Sequence, residues 1–175
     1  MTARSIAAPI GAALVLAAGM LLAACQRDTS DGPTELSGHL FVFNYRVASA
    51  TYMITLKKTA PIAEGTVAVA AFENPMGGDP LVLRQKIFPF WDKITLESPE
   101  VHCVRKDRPY GVTITLVDAG GKTIQTIATK VTSSFDQSIL PAKPLVVGPV
   151  YTPNPEVFKA DGSVDFSPEP ACPAA

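Results

Sequence analysis

Histidine and cysteine are scarce in this chain, with two His and three Cys among 175 residues. Charge of one sign is not in excess either, because 15 Lys+Arg face 16 Asp+Glu for a formal net charge of −1. Each shortage excludes a class of function. Two His, with no Cys-x-x-Cys or His-x-x-x-His spacing and no dense acidic cluster, leave no material for a metal centre, and no cofactor is expected. Met53, Met76, His39 and His102 are too scattered for a copper site. A nearly neutral chain offers no electrostatic case for nucleic acid as a partner. What is present is ordinary globular material. Hydrophobic residues make up 47% of the chain, and its length suits a single domain.

Arg4 is the only charge before Arg27, and the run from Ser5 to Gln26 is rich in Ala and Gly. A short basic start, an apolar core and a small-residue end are the anatomy of a secretory signal. The run is also just long enough to span a bilayer, which takes about 20 residues. Its composition, Pro9 and its small-residue end favour cleavage over a retained helix. Leu22-Ala23-Ala24-Cys25 resembles the lipobox of bacterial lipoproteins, whose cysteine is diacylated and becomes the first mature residue. The resemblance implies residues 1–24 as a lipoprotein signal peptide and a membrane as partner, held through lipid on Cys25. Two or three acyl chains anchor stably, where one holds only marginally. Gln26 in place of Asp implies the outer membrane, facing the periplasm. Loss of residues 1–24 removes one Arg and no acid, so the net charge moves from −1 to −2.

Cys103 and Cys172 remain, an even pair in an oxidising compartment. The expectation is a disulfide that pins the C-terminal tail to the body. For a loop of about 70 residues it would contribute roughly 4 kcal/mol by chain entropy. The alternative is a buried free Cys103 and a loose Cys172.

Residues 25–37 read as a polar, lipidated tether, because QRDTSDGPTELS has no apolar period. Extended, about a dozen residues reach roughly 40 Å. From Gly38 the period becomes 2, with Phe41, Phe43, Tyr45 and Val47 on the face expected inward and Leu40, Val42, Asn44 and Arg46 on the other. Further strands are expected over Ala50–Leu56, Val67–Phe72 (apolar enough to be central), Leu81–Phe88, Lys93–Glu97 and Val101–Val104. The clearest hairpin runs from Tyr110 to Val117, turns at Asp118-Ala-Gly-Gly121 and returns over Lys122–Val131. Pro144–Val147 closes the domain. Residues 149–175 hold 6 of the 16 prolines and read as an extended tail, lying over the surface or free. No segment after the signal has a long helical apolar period. The fold expected for residues 38–148 is therefore all-β, an antiparallel, immunoglobulin-like β-sandwich, with a disordered N-terminal tether and a Pro-rich C-terminal tail.

Catalysis finds little support. His102 and Cys103 are adjacent, and on a strand they would face opposite ways. There is no Gly-x-Ser-x-Gly elbow, and Gly77-Gly78 lacks the Lys of a phosphate loop. Ser133-Ser134-Phe135-Asp136-Gln137 reads as a turn. No enzymatic activity is expected. Binding features are more visible. Lys57-Lys58 and Arg105-Lys106-Asp107-Arg108 read as solvated turns, or as contacts for anionic lipid head groups or an acidic partner. Phe88, Phe90 and the single Trp91 gather around Pro89, as core closure at a corner or as an exposed anchor for a partner. An open strand edge could also accept a partner strand.

The layout resembles the YscW/YbaY group of small proteobacterial lipoproteins. The shared features are a first strand after a tether, a second like Ile54-Thr55-Leu56, and Tyr110–Val117 followed by a Gly turn and Lys122-Thr-Ile124, over about residues 38–131. The chain departs from that group in its cysteine pair and long tail. The group includes lipoproteins that help secretin rings assemble in the outer membrane, so the resemblance implies a non-catalytic binding or assembly factor for another envelope protein. It assigns no site residue. The competing expectation is a small-ligand or lipid-binding lipoprotein, with an apolar cavity beside Ala68, Ala70 and Ala71.

Overall fold

The computed structural model describes residues 32–168 and Cys172. The signal segment and Cys25 lie outside the described residues. Within them the regular structure is almost all antiparallel strand, with one 3-10 turn at Gln137–Ile139. The strands are β1 (Thr34–Asn44), β2 (Ser49–Lys58), β3 (Val67–Phe72), β4 (Leu81–Lys86), β5 (Lys93–Glu97), β6 (Pro109–Val117), β7 (Thr123–Thr132), β8 (Val146–Val147) and β9 (Thr152–Pro153). One sheet has the order β1-β2-β5, a second the order β4-β3-β6-β7, and β8 and β9 make a small third.

Alternation decides the core. Ala50, Tyr52, Ile54 and Leu56 of β2 are buried, as are Tyr110, Val112, Ile114 and Leu116 of β6, with solvated residues between them. The two larger sheets meet through these faces in one cluster. At its centre the Tyr52 ring lies 4.3 Å from Phe41, 5.3 Å from Phe72 and 6.4 Å from Tyr110, measured between centroids. β3 is central, between β4 and β6, as its apolar run suggests.

Three expectations are corrected. β1 begins at Thr34, inside the segment read as tether, because a bulge between Leu36 and Gly38 inserts one residue. A slip of one residue exchanges the faces of a strand. Thr34 and Leu36 therefore turn inward before the bulge, and Phe41 and Phe43 after it. Tyr45 and Val47 are exposed rather than inward, because the Asn44 side chain accepts the Arg46 N–H at 3.2 Å and turns the chain. Val101–Val104 is not a strand. Cys103 sits at φ 63°, a left-handed conformation that ends extended structure.

The two ends of the domain differ. Where β1 enters, the β2–β3, β4–β5 and β6–β7 connections gather. This entry end is latched by buried Gln125, whose amide donates to the Thr34 carbonyl at 2.7 Å and accepts from the Thr34 hydroxyl at 2.9 Å. Replacing Gln125 by Leu should destabilise the fold by about 1–3 kcal/mol, since Thr34 would keep buried polar atoms without these partners. Hydrogen exchange over residues 34–37 would register it as loss of protection. The opposite end is covered by the tail. Leu145 N–H donates to the Arg46 carbonyl, the Arg46 guanidinium lies 5.0 Å over the Tyr151 ring, and Val157 is fully buried. Of the two placements open for residues 149–168, they take the one over the surface.

Candidate functional site

Cys103 and Cys172 are joined, with their Cα atoms 5.4 Å apart and a sequence separation of 69. The turn that presents Cys103 is held by buried Gln137. Its side chain accepts the Val104 N–H at 3.0 Å and donates to the Val101 carbonyl at 3.0 Å. The amide thus takes the place of a neighbouring strand. Cysteine spent in this way leaves no thiol at position 103 for His102 to activate.

The Ser133–Gln137 segment is also structural. The Ser133 hydroxyl donates to the Phe135 carbonyl, and the Asp136 carboxylate accepts the Lys106 N–H at 3.0 Å. Glu73 is bound on both oxygens, by the Arg108 guanidinium at 2.9 Å and the Gly111 N–H at 2.8 Å. The Tyr52 phenol donates to the Glu73 carbonyl at 2.7 Å. Burial pushes that phenol well above its ordinary pKa, and the Glu73 charge adds to the effect. Among the described residues no three His, Cys, Asp or Glu side chains converge as a metal site would require. No helix among them is long and apolar enough to cross a membrane.

The aromatic corner divides the two readings of Phe88, Phe90 and Trp91. Trp91 packs against the core, while Phe90 is 75% exposed and Phe88 partly so. The three rings touch one another, with centroids 5.0 to 6.3 Å apart. The corner is held from β2, where Lys58 donates its N–H to the Asp92 carbonyl and its ammonium to the Pro89 carbonyl at 2.7 Å. Trp91 is thus a base on which two Phe rings stand out.

A second apolar feature lies at the other end, between the two sheets. β1 pairs only with β2 among the described strands, and β7 only with β6. The two edges meet at Thr34 and Gln125 and part further along. There a groove of about 350 Å³ opens, lined by Leu40, Phe41 and Phe43 of β1 and by Phe135 and Ile139 beyond β7. Leu40, Phe135 and Ile139 are each about half exposed. Its floor includes Phe41, which packs on Tyr52 and Tyr110. Sequence reading missed this site. Leu40 was a signal, an apolar residue on the face of β1 expected outward, and Phe135 was another, an aromatic within a polar turn.

Ala68 and Ala70 are fully buried in the core cluster. Small side chains there let β3 approach its neighbours. No protein-family model matches the chain, and no curated protein matches it in sequence.

Proposed function

We propose that this chain is a lipid-anchored, non-catalytic binding protein of the bacterial envelope, carrying an immunoglobulin-like sandwich that receives an extended apolar segment of another envelope protein. The groove between β1 and β7 carries the reading. It joins a strand edge, unpaired among the described strands, to an apolar trough, the pair of features that strand addition uses: backbone bonds for affinity and side-chain pockets for choice. The trough is open along the surface, which suits a passing chain better than a small ligand that must be enclosed over most of its area. The immunoglobulin-like assignment is supported by strand positions. β1, β2 and β5 correspond to A, B and E, β3, β6 and β7 to C, F and G, and β4 lies beside β3 as C′ does. Tyr110 supports it too. This tyrosine opens β6, and its hydroxyl accepts the Arg105 N–H at 2.8 Å, five residues upstream, as in a tyrosine corner. The YscW/YbaY-like layout points toward the same kind of task, and Cys25 would supply the anchor.

Position-specific cross-linking tests it. The full chain, expressed in its own host, carries a photoreactive residue at Leu40 or Ile139, with Val82 on the far edge strand β4 as control. One shared adduct from both groove positions and none from Val82 is the expected result. Phe135→Asp should weaken that adduct about tenfold or more, because a charge would enter the trough. Cys25→Ala should stop lipoprotein processing and lower the yield. No adduct, or one equally strong from Val82, would remove the groove from the account.

A further inference from the structure

The geometry points to a lipid-bilayer surface as the occupant of the aromatic corner: Phe88 and Phe90 enter the acyl–headgroup boundary of the membrane that carries the anchor, with Trp91 at the headgroup level. This inference rests on the reading of Cys25 as lipidated.

The first argument is where the chain enters. The carbonyl of Pro33 accepts N–H bonds from Thr59 and Ala60, and the Thr59 hydroxyl donates to Gly32. The chain is therefore held to the body from Gly32 onward, and β1 starts at Thr34. Only six residues lie between Cys25 and Gly32. They reach at most about 25 Å, not the roughly 40 Å of a tether running to Ser37. Thr34 pairs with Lys58, and Lys58 in turn holds Pro89 and Asp92. The aromatic corner thus lies two strand spacings from the entry point, about 10 Å. The anchor holds this end of the domain at the membrane and leaves the tail-covered end away from it.

The second argument is chemistry. A single exposed aromatic needs no explanation. Here two Phe rings stand on the only Trp of the chain, at the end nearest the anchor. Aromatic side chains with an amphipathic member are what membrane interfaces collect. The flanking cations fit the same place. The Lys86 ammonium lies 5.2 Å over the Phe88 ring, and Lys58 and Lys93 bracket the corner. Asp92 sits 4.0 Å from the Lys58 ammonium, and Glu35 pairs with Lys57 at 3.2 Å, so these two cations are offset while Lys86 and Lys93 leave the corner a small positive excess. The apolar rings then supply the insertion, and the excess cations add attraction to anionic head groups. A weak contact suffices, because the acyl anchor makes it intramolecular.

Trp91 is its own reporter. The full chain, purified from its host and weighed for acyl groups on Cys25, is reconstituted in vesicles of phosphatidylethanolamine and phosphatidylglycerol whose acyl chains carry bromine. Trp91 emission should shift to the blue relative to protein in detergent, and the brominated lipid should quench it. Phe90→Ser should lose most of that quenching, while Val150→Ser at the far end should not. Phe90 is mostly exposed, so the variant should fold, and equal iodide quenching in detergent would verify it. An acylated protein whose Trp91 the lipid does not quench overturns the inference and leaves the anchor standing. A chain without acyl groups that is still quenched on mixing overturns the anchor and supports the corner.

Discussion

Tyr52→Ala is expected to destabilise the domain by about 3–5 kcal/mol, the range for removing a large buried ring. For a domain of this size that lowers the melting temperature by on the order of 10 °C. The ring is fully buried, touches Phe41, Phe72 and Tyr110, and links the two sheets. Tyr52→Phe keeps the ring and removes only the bond to the Glu73 carbonyl, so about 1 kcal/mol is expected. The two variants also separate a pH effect. Burial, then the Glu73 charge, raises the phenol's pKa in the folded state, with Arg108 opposing. The unfolded phenol ionises near pH 10 while the folded one keeps its proton. Its contribution is therefore fully present below about pH 10 and declines as the pH rises toward the folded value. Denaturant unfolding measured up to about pH 11 should show that decline in the natural protein, and a shallower one in Tyr52→Phe. Identical alkaline limbs would assign the effect to other groups.

Opening the disulfide is expected to have the second large effect. The Cys103–Cys172 bond closes 69 residues of sequence, for which chain entropy predicts about 4 kcal/mol. The double replacement Cys103→Ala with Cys172→Ala should melt on the order of 10 °C lower, and reductant should reproduce the shift in the natural protein. The loss should begin in the tail. Ala142 N–H donates to the Ser167 carbonyl and Asn154 N–H to the Leu145 carbonyl, bonds that close the tail on itself. Their amides should exchange first, before those of β2 and β6. Equal melting curves with and without reductant would show that the body does not depend on the clasp.

The two predictions concern opposite faces of one arrangement. The aromatic core joins the sheets, the disulfide closes the end distant from the start of β1, and the groove opens between β1 and the segment after β7. A partner segment there would lie above a core that Tyr52 and Phe41 keep rigid. Tyr52→Ala should therefore weaken groove cross-linking as well as stability, whereas loss of the disulfide should affect stability more than cross-linking.

By itself the sequence determined most of the strands, among them Ala50–Leu56, Val67–Phe72, Lys93–Glu97 and Tyr110–Val117, each within a few residues of its place in the fold. In Tyr110–Val117 it also determined the face, because Tyr110, Val112, Ile114 and Leu116 alternate with Gly111, Thr113 and Thr115. A period of two is a local property of extended chain. The hairpin at Asp118–Gly121 was equally legible, because Asp118 accepts from the Gly120 and Lys122 N–H groups within its own turn. Pairing of Cys103 with Cys172 was one of two readings that the two cysteines after Cys25 left open, and the fold brings them together. Only the tertiary structure decided the rest. The bulge before Gly38 breaks the period that would have revealed Thr34 as strand, and Thr34 is held inward by Gln125, 91 residues away. The turn at Cys103 depends on Gln137, the groove on how β1 and β7 part, and the nearness of Phe90 to the chain's entry on Lys58 between them. These features depend on residues distant in sequence, and the local period carries no record of which distant residues meet.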